Sequence, residues 1–239
     1  MAWTIRRADF DDAPGIGRVQ LESWRVTYGE FLPDEYLDGM SDVRHAAMWS
    51  EVLSKDDRIG ATFIAEDDDQ RVIGFADCAP SQVAQNQADD DEDDDTDQAA
   101  SGEGGRTKRS LADSEDVTET RDAADESGAQ SDQGAQGDQD DQGESLRSGE
   151  IGSIYVLPNW QRQGVGRGFI ANAARHLASY QFETLVVWVL HDDPARAFYE
   201  KLGGDACALR EIQFIDTTLV QVCYQWLDIS ELVLIDLIR

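Results

Sequence analysis

The sequence predicts an α/β domain, a sheet with helices packed on it, and three stretches carry that prediction. Residues 150–169 read in succession as a strand, a glycine loop and the start of a helix. Residues 61–78 read as a β-hairpin, two apolar strands around the polar turn Glu66-Asp-Asp-Asp-Gln70. Residues 184–190, Thr-Leu-Val-Val-Trp-Val-Leu, form a continuous apolar run of the kind that suits a central strand buried on both faces.

From the N-terminus, residues 3–7 suggest a short strand with Trp3 and Ile5 on one face. Asp11 or Asp12 can then cap a helix from about Pro14 to residue 28, whose Ile16, Val19, Leu21, Trp24 and Val26 supply the apolar positions. A turn and second short helix are expected over 31–37, and a third helical piece over 43–53. The hairpin follows, with strands at 61–65 and 71–78. Strict alternation in the strand opened by Glu150 puts Ile151, Ser153 and Tyr155 on one face, Ile154 and Val156 on the other. Pro158 ends that strand, and Phe169, Ile170, Ala173, Ala174, Leu177 and Ala178 recur at helical spacing. Asp193-Pro194 reads as a cap and first-turn proline, Gly203-Gly204 as the stop of that helix. Strands near 207–214 and 219–226 close the chain, before an apolar tail, 232–238, open to reading as strand, helix or homodimer contact.

Between 81 and 149 the composition changes. The span holds 21 acidic and 5 basic residues, and no aromatic occurs between Phe75 and Tyr155. Runs such as Asp89-Asp-Asp-Glu-Asp-Asp-Asp95 cannot bury enough apolar surface to offset the entropy of ordering. The expectation is one domain, 1–80 with 150–239, interrupted by an acidic disordered insertion at 81–149. Loop-closure entropy grows only logarithmically with length and permits it.

The formal net charge of -29 argues against sequence-independent nucleic-acid binding and against an anionic membrane surface, since both need a basic face. It suggests a halophilic interior, where a Debye length of roughly 3 Å at 1 M salt screens self-repulsion. Cys78, Cys207 and Cys223 are too scattered for a disulfide framework and are expected as reduced thiols in or near a core. His45, His176 and His191 form no cluster with metal-ligand spacing, so no metal is expected. With no apolar leader and no membrane-length run, the protein is expected to be cytoplasmic.

A strand, a glycine loop and a helix start aim backbone N–H groups and the positive end of a helix at an anion, typically a phosphate. A P-loop would need Lys and Ser/Thr after its last glycine, where Arg167 and Gly168 stand. A dinucleotide fingerprint would need glycine where Phe169 stands, and would start straight after the strand. The pattern Q/R-x-x-G-x-G/A after a strand ending in V-x-P is met by Val156, Pro158, Gln161, Gly164 and Gly166, and resembles the acetyl-CoA loop of the GNAT superfamily of N-acetyltransferases. Residues 192–204 resemble the family's second signature, N-x-x-A-x-x-F-Y-x-x-x-G-F, through Ala195, Phe198, Tyr199 and Gly203; Asp192 departs from its asparagine and Gly204 from its aromatic. Residues 24–37 resemble the first two helices, which in the family wall the acceptor pocket.

The resemblance implies a GNAT fold: a mixed, mostly antiparallel central sheet flanked by helices and splayed at the strand pair that receives acetyl-CoA. It implies transfer of an acetyl group from acetyl-CoA, as co-substrate, to a primary amine. By the same resemblance the cofactor-binding residues are Tyr155, Val156, Gln161, Arg162, Gln163, Gly164, Val165, Gly166, Arg167 and Asp192. Tyr199 is the expected general acid, since a phenol of pKa about 10 can protonate a leaving thiolate near 8.5 when held beside it. Glu150, opening the cofactor strand, is the expected base, with His191 or a water chain as alternatives. A non-catalytic acyl-CoA-binding sensor, or an interaction protein built around the insertion, are the competing readings.

Overall fold

The computed structural model describes residues 2–29, 39–55, 58–81, 146–214 and 217–235. Its strands are β1 (Trp3–Arg7), β2 (Ala61–Asp67), β3 (Val72–Pro80), β4 (Ser148–Val156), β5 (Thr184–Leu190), β6 (Asp205–Phe214) and β7 (Thr217–Trp226). They form one sheet in the order β1-β2-β3-β4-β5-β7-β6, antiparallel throughout except for the parallel pair β4–β5. This is the mixed, mostly antiparallel sheet that the resemblance implies.

Helices cover both faces. On the front lie α1 (Ala13–Tyr28) and α2 (Asp42–Leu53), where Ile16, Val19 and Trp49 pack on Ile64 and Phe75. On the back lies α3 (Val165–Ser179), whose Phe169, Ile170, Ala173, Ala174 and Leu177 are buried against β-strand residues such as Ile151, Val187 and Tyr224. Removing a fully buried ring such as Phe169 would cost about 3–5 kcal/mol. Two short helices follow, α4 (Arg196–Lys201) and α5 (Ser230–Val233). The apolar tail therefore begins as a helical turn, with Leu232 buried against the back-face core.

Three expectations change. Asp12 stands at the N-cap position of α1, as expected, but its side chain makes no cap bond; the capping box belongs to Asp9, which accepts from the Asp11 N–H at 3.0 Å and whose own N–H donates to Asp12 at 2.8 Å, closing a 3-10 turn over Phe10–Asp12 ahead of α1. Asp12 is drawn instead to Arg6, which donates to both its oxygens at 2.7 and 2.8 Å while its other edge holds Glu66. A bidentate, charge-assisted contact outcompetes a cap bond.

The second change concerns β4. Its register with β3 jumps from Ile151↔Cys78 to Ser153↔Asp77, leaving Gly152 as a bulge. Ile151 therefore shares the back face with Ile154 and Val156, while Tyr155 packs on the front against Phe75 at 5.5 Å. Thirdly, β4 begins at Ser148, two residues before the expected edge of the insertion, and the Ser81 N–H donates to the Ser148 carbonyl at 2.8 Å. The helix expected over 31–37 and residues 82–145 of the insertion lie outside the described residues. No helix among the described residues is long and apolar enough to cross a membrane.

Candidate active site

The parallel pairing of β4 and β5 runs only from Ser148↔Thr184 to Ile151↔Val187. Beyond it, β4 stays with β3 as far as Val156↔Gly74, and β5 stays with β7 as far as Leu190↔Gln221. The two central strands thus part company, and their facing backbone groups have no partner strand between them. A gap opens through the sheet, with the glycine loop following β4 and α4 following β5.

The loop is held from behind. Gln161 donates through Nε2 to the Val156 carbonyl at 2.9 Å, and Gln163 through Nε2 to the Asn159 carbonyl at 2.8 Å. Trp3 Nε1 donates to the Gln163 carbonyl at 3.2 Å, and the Gly168 N–H to the Gly164 carbonyl at 3.0 Å. With carbonyls tied back, what the loop presents is N–H. Arg162 and Gly164 both have positive φ, 60° and 90°. A left-handed Gly164 immediately before the right-handed start of α3 turns successive amides to one side, a geometry able to receive an anion. The first-turn amides of α3 have no helical carbonyl behind them. Val165 is buried as an anchor, whereas Gln161, Arg162, Gln163 and Arg167 are exposed.

The two signature segments meet. A Cβ placed on Gly166 would lie 3.3 Å from the Phe198 ring, so α4 packs directly on the start of α3. The expected cap moves: α4 starts at Arg196 with Ala195 at its N-cap position, and Asp193 accepts from the Ala195 N–H at 2.7 Å in the turn that precedes the helix. Tyr199 is buried on the back face, its ring among Phe198, Tyr224 and Trp226. Asp192 is exposed, with His191 Nδ1 2.9 Å from its carboxylate.

Glu150 points the other way. Opposite to Ile151 on β4, it sits half-buried on the front face, accepting from Ser81 Oγ at 3.3 Å. Burial pushes its carboxyl above the usual range, with the charge of Arg210 and the Ser81 hydroxyl working against the shift. Asp77 is also pushed up by burial, but it is paired with Arg58 at 3.1 Å and with Thr62 at 2.6 Å and acts as a structural acid. The side chain of Tyr155 belongs to this front face too: its hydroxyl accepts from Trp24 Nε1 at 2.9 Å.

Two front-face residues were not singled out from the sequence. Arg210 on β6 lies with its guanidinium 4.0 Å from the centre of the Trp188 ring on β5, and its Nε donates to Gln221 at 2.8 Å. Trp188 carries a buried N–H with no acceptor among the described residues. A tryptophan inside an otherwise aliphatic central strand was the available signal. Among the described residues no group of three His, Cys, Asp or Glu gathers as metal ligands.

A family model described as FR47-like protein matches residues 141–212, which hold both signature segments. The Bacillus subtilis (strain 168) protein named uncharacterized N-acetyltransferase YuaI is 24% identical over 229 residues, covering 96% of this chain and 95% of its own. PaiA N-acetyltransferase from Thermoplasma acidophilum, solved in complex with coenzyme A, aligns with a TM-score of 0.55 at 13% identity over 95% of this chain and 100% of that one. An acetyltransferase of the GNAT family from Streptococcus pneumoniae aligns with a TM-score of 0.50 at 14% identity over 95% and 99%. At such identities the structural matches speak for the fold.

Proposed function

We propose that this chain, a GNAT N-acetyltransferase by its fold and its relatives, moves an acetyl group from acetyl-CoA to a primary amine by direct attack on the thioester. The observation that carries the reading is the parting of β4 and β5 after Ile151 and Val187, beside a loop that presents amides to an anion. Acetyl-CoA supplies the activated acyl group. The amides of residues 163–166 and the start of α3 hold its diphosphate, with Arg162 and Arg167 adding positive charge. The stretch of β4 beside the gap, Tyr155 and Val156, lines the pantetheine arm, and one backbone N–H there polarises the thioester carbonyl. Asp192 stands two residues past β5, at the same opening.

The acid and the base lie on opposite faces, as a reaction running through the gap requires. An amine arrives on the front as an ammonium and gives one proton to Glu150. Its lone pair forms the new C–N bond, the C–S bond breaks, and the nitrogen releases its second proton. Tyr199, on the back, protonates the departing thiolate and is reprotonated from solvent. The balance is one ammonium and one thioester in, one amide, one thiol and one proton out.

The test is thiol release from acetyl-CoA with a panel of primary amines. Tyr199→Phe is expected to lower kcat about 100-fold or more with coenzyme A affinity retained. Unchanged turnover would remove Tyr199 from the mechanism. No release with any amine, alongside intact coenzyme A binding, would favour a non-catalytic acyl-CoA-binding protein.

A further inference from the structure

We infer that the acceptor is an amino acid in zwitterionic form, its ammonium held at Glu150 and its carboxylate by the terminal nitrogens of Arg210 above Trp188. The inference rests on the acetyl transfer proposed above and names its substrate class. The placement comes from strand register. Glu150 lies beside Val186, and Trp188 is the first residue of β5 past its last pair with β4. Glu150 and Trp188 are thus one strand apart and two residues along, about 8 Å between Cα atoms, at the mouth of the gap. From β6, Arg210 is registered with Gln221, and Trp188 with Cys223, so the arginine reaches across β7 to cover the indole.

Neither member of this pair has an ion-pair partner among the described residues. Arg210 uses Nε on Gln221, and its two terminal nitrogens have no partner among the described residues. Glu150 accepts only a 3.3 Å contact from Ser81 there. The two groups feel each other's charge, and burial works against the ionised form of both, yet they form no ion pair with each other. In a chain with 49 acidic side chains against 20 Lys and Arg, Arg210 is exposed beside the gap with no carboxylate paired to it among the described residues, and so is open to an anionic ligand. Two opposite charges held apart at the mouth of the gap are complementary to a ligand carrying both signs. The planar guanidinium, already oriented by stacking and by Gln221, is suited to bidentate carboxylate capture.

The experiment uses the full chain with acetyl-CoA and compares α-amino acids with their decarboxylated amines and their α-amides, thiol release being the readout. The wild type is expected to favour at least one amino acid over its decarboxylated partner by about 10-fold or more in kcat/KM. In Arg210→Gln that ratio is expected to collapse towards one, and in Arg210→Lys to be kept in part. Equal or better turnover of the decarboxylated amines by the wild type would overturn the inference while leaving acetyl transfer standing. A ratio unchanged in Arg210→Gln would overturn the role of Arg210. Absence of turnover with every amine would sink acetyl transfer itself, and this inference with it.

Discussion

Gly164 offers the sharpest perturbation of the anion loop. Its φ of 90° lies where an L-residue is strained, and a Cβ there would meet nothing closer than the Trp3 ring at 3.6 Å, an ordinary contact. Gly164→Ala therefore acts through the backbone alone. The left-handed conformation costs an L-residue about 1–2 kcal/mol. For a domain of this size that corresponds to a fall in Tm of roughly 2–8 °C. The chain can relieve the strain only by rotating the peptide that aims the amides at the phosphate. Losing one charge-assisted N–H contact is worth about 1.5–3 kcal/mol, so coenzyme A should bind about 10- to 100-fold more weakly. Gly203 supplies the control: its φ is 81°, nothing lies within 4 Å of its would-be Cβ, and it closes α4 outside the loop. Gly203→Ala should lose similar stability and keep coenzyme A affinity. Calorimetric titration of both variants, with melting curves, reads the two effects separately. If Gly164→Ala melts lower but binds coenzyme A as well as the wild type, the loop amides are not the anion site.

Two further outcomes follow from the carboxylates. Glu150, raised by burial, must be ionised to accept a proton, so kcat/KM should rise with pH through that elevated pKa; Glu150→Gln should be slower and lack this acidic limb. Its linkage to stability has the opposite sense: a raised folded pKa favours the neutral acid, so the wild type loses stability as pH rises through it, and Glu150→Gln should be the more urea-resistant at neutral pH. For Asp12, burial opposes ionisation, but the Arg6 contacts and the Asp9 N–H prevail and hold its pKa below the ordinary value. Its contribution is complete above the unfolded pKa of about 3.9 and is lost as pH falls through the folded one. Asp12→Asn should cost about 1–2 kcal/mol at pH 7, discounted because Arg6 is 40% exposed, and the gap to the wild type should narrow below pH 4, as urea melts at the two pH values would record.

Local patterns were enough for the elements whose signal is itself local. The periodicity of Phe169 to Leu177 announced α3, the run 184–190 announced a buried strand, and the spacing of Gln161, Gly164 and Gly166 with that of Ala195, Phe198 and Tyr199 announced the two segments that prove to touch through Gly166 and Phe198. What stayed hidden depends on partners distant in sequence. The bulge at Gly152 exists only in register with β3, and it decides which face Ile151 takes. Asp12 stands at the cap position the sequence suggests, but that its side chain serves Arg6 instead depends on a strand that the local pattern does not show. Arg210 sits on an exposed edge strand with no apolar alternation to mark it, and only the order β5-β7-β6 brings it over Trp188. The front face, where the proposed reaction receives its acceptor, is assembled from β4, β5, β6 and β7 and so has no sequence motif of its own.

Backbone amide resonances followed during titration with coenzyme A test the central claim most directly. The account predicts that the largest shifts fall on residues 163–166, with smaller ones along 154–156, the stretch of β4 beside the gap. Amide shifts that leave 163–166 untouched while coenzyme A binds elsewhere, or no binding at all, would contradict it.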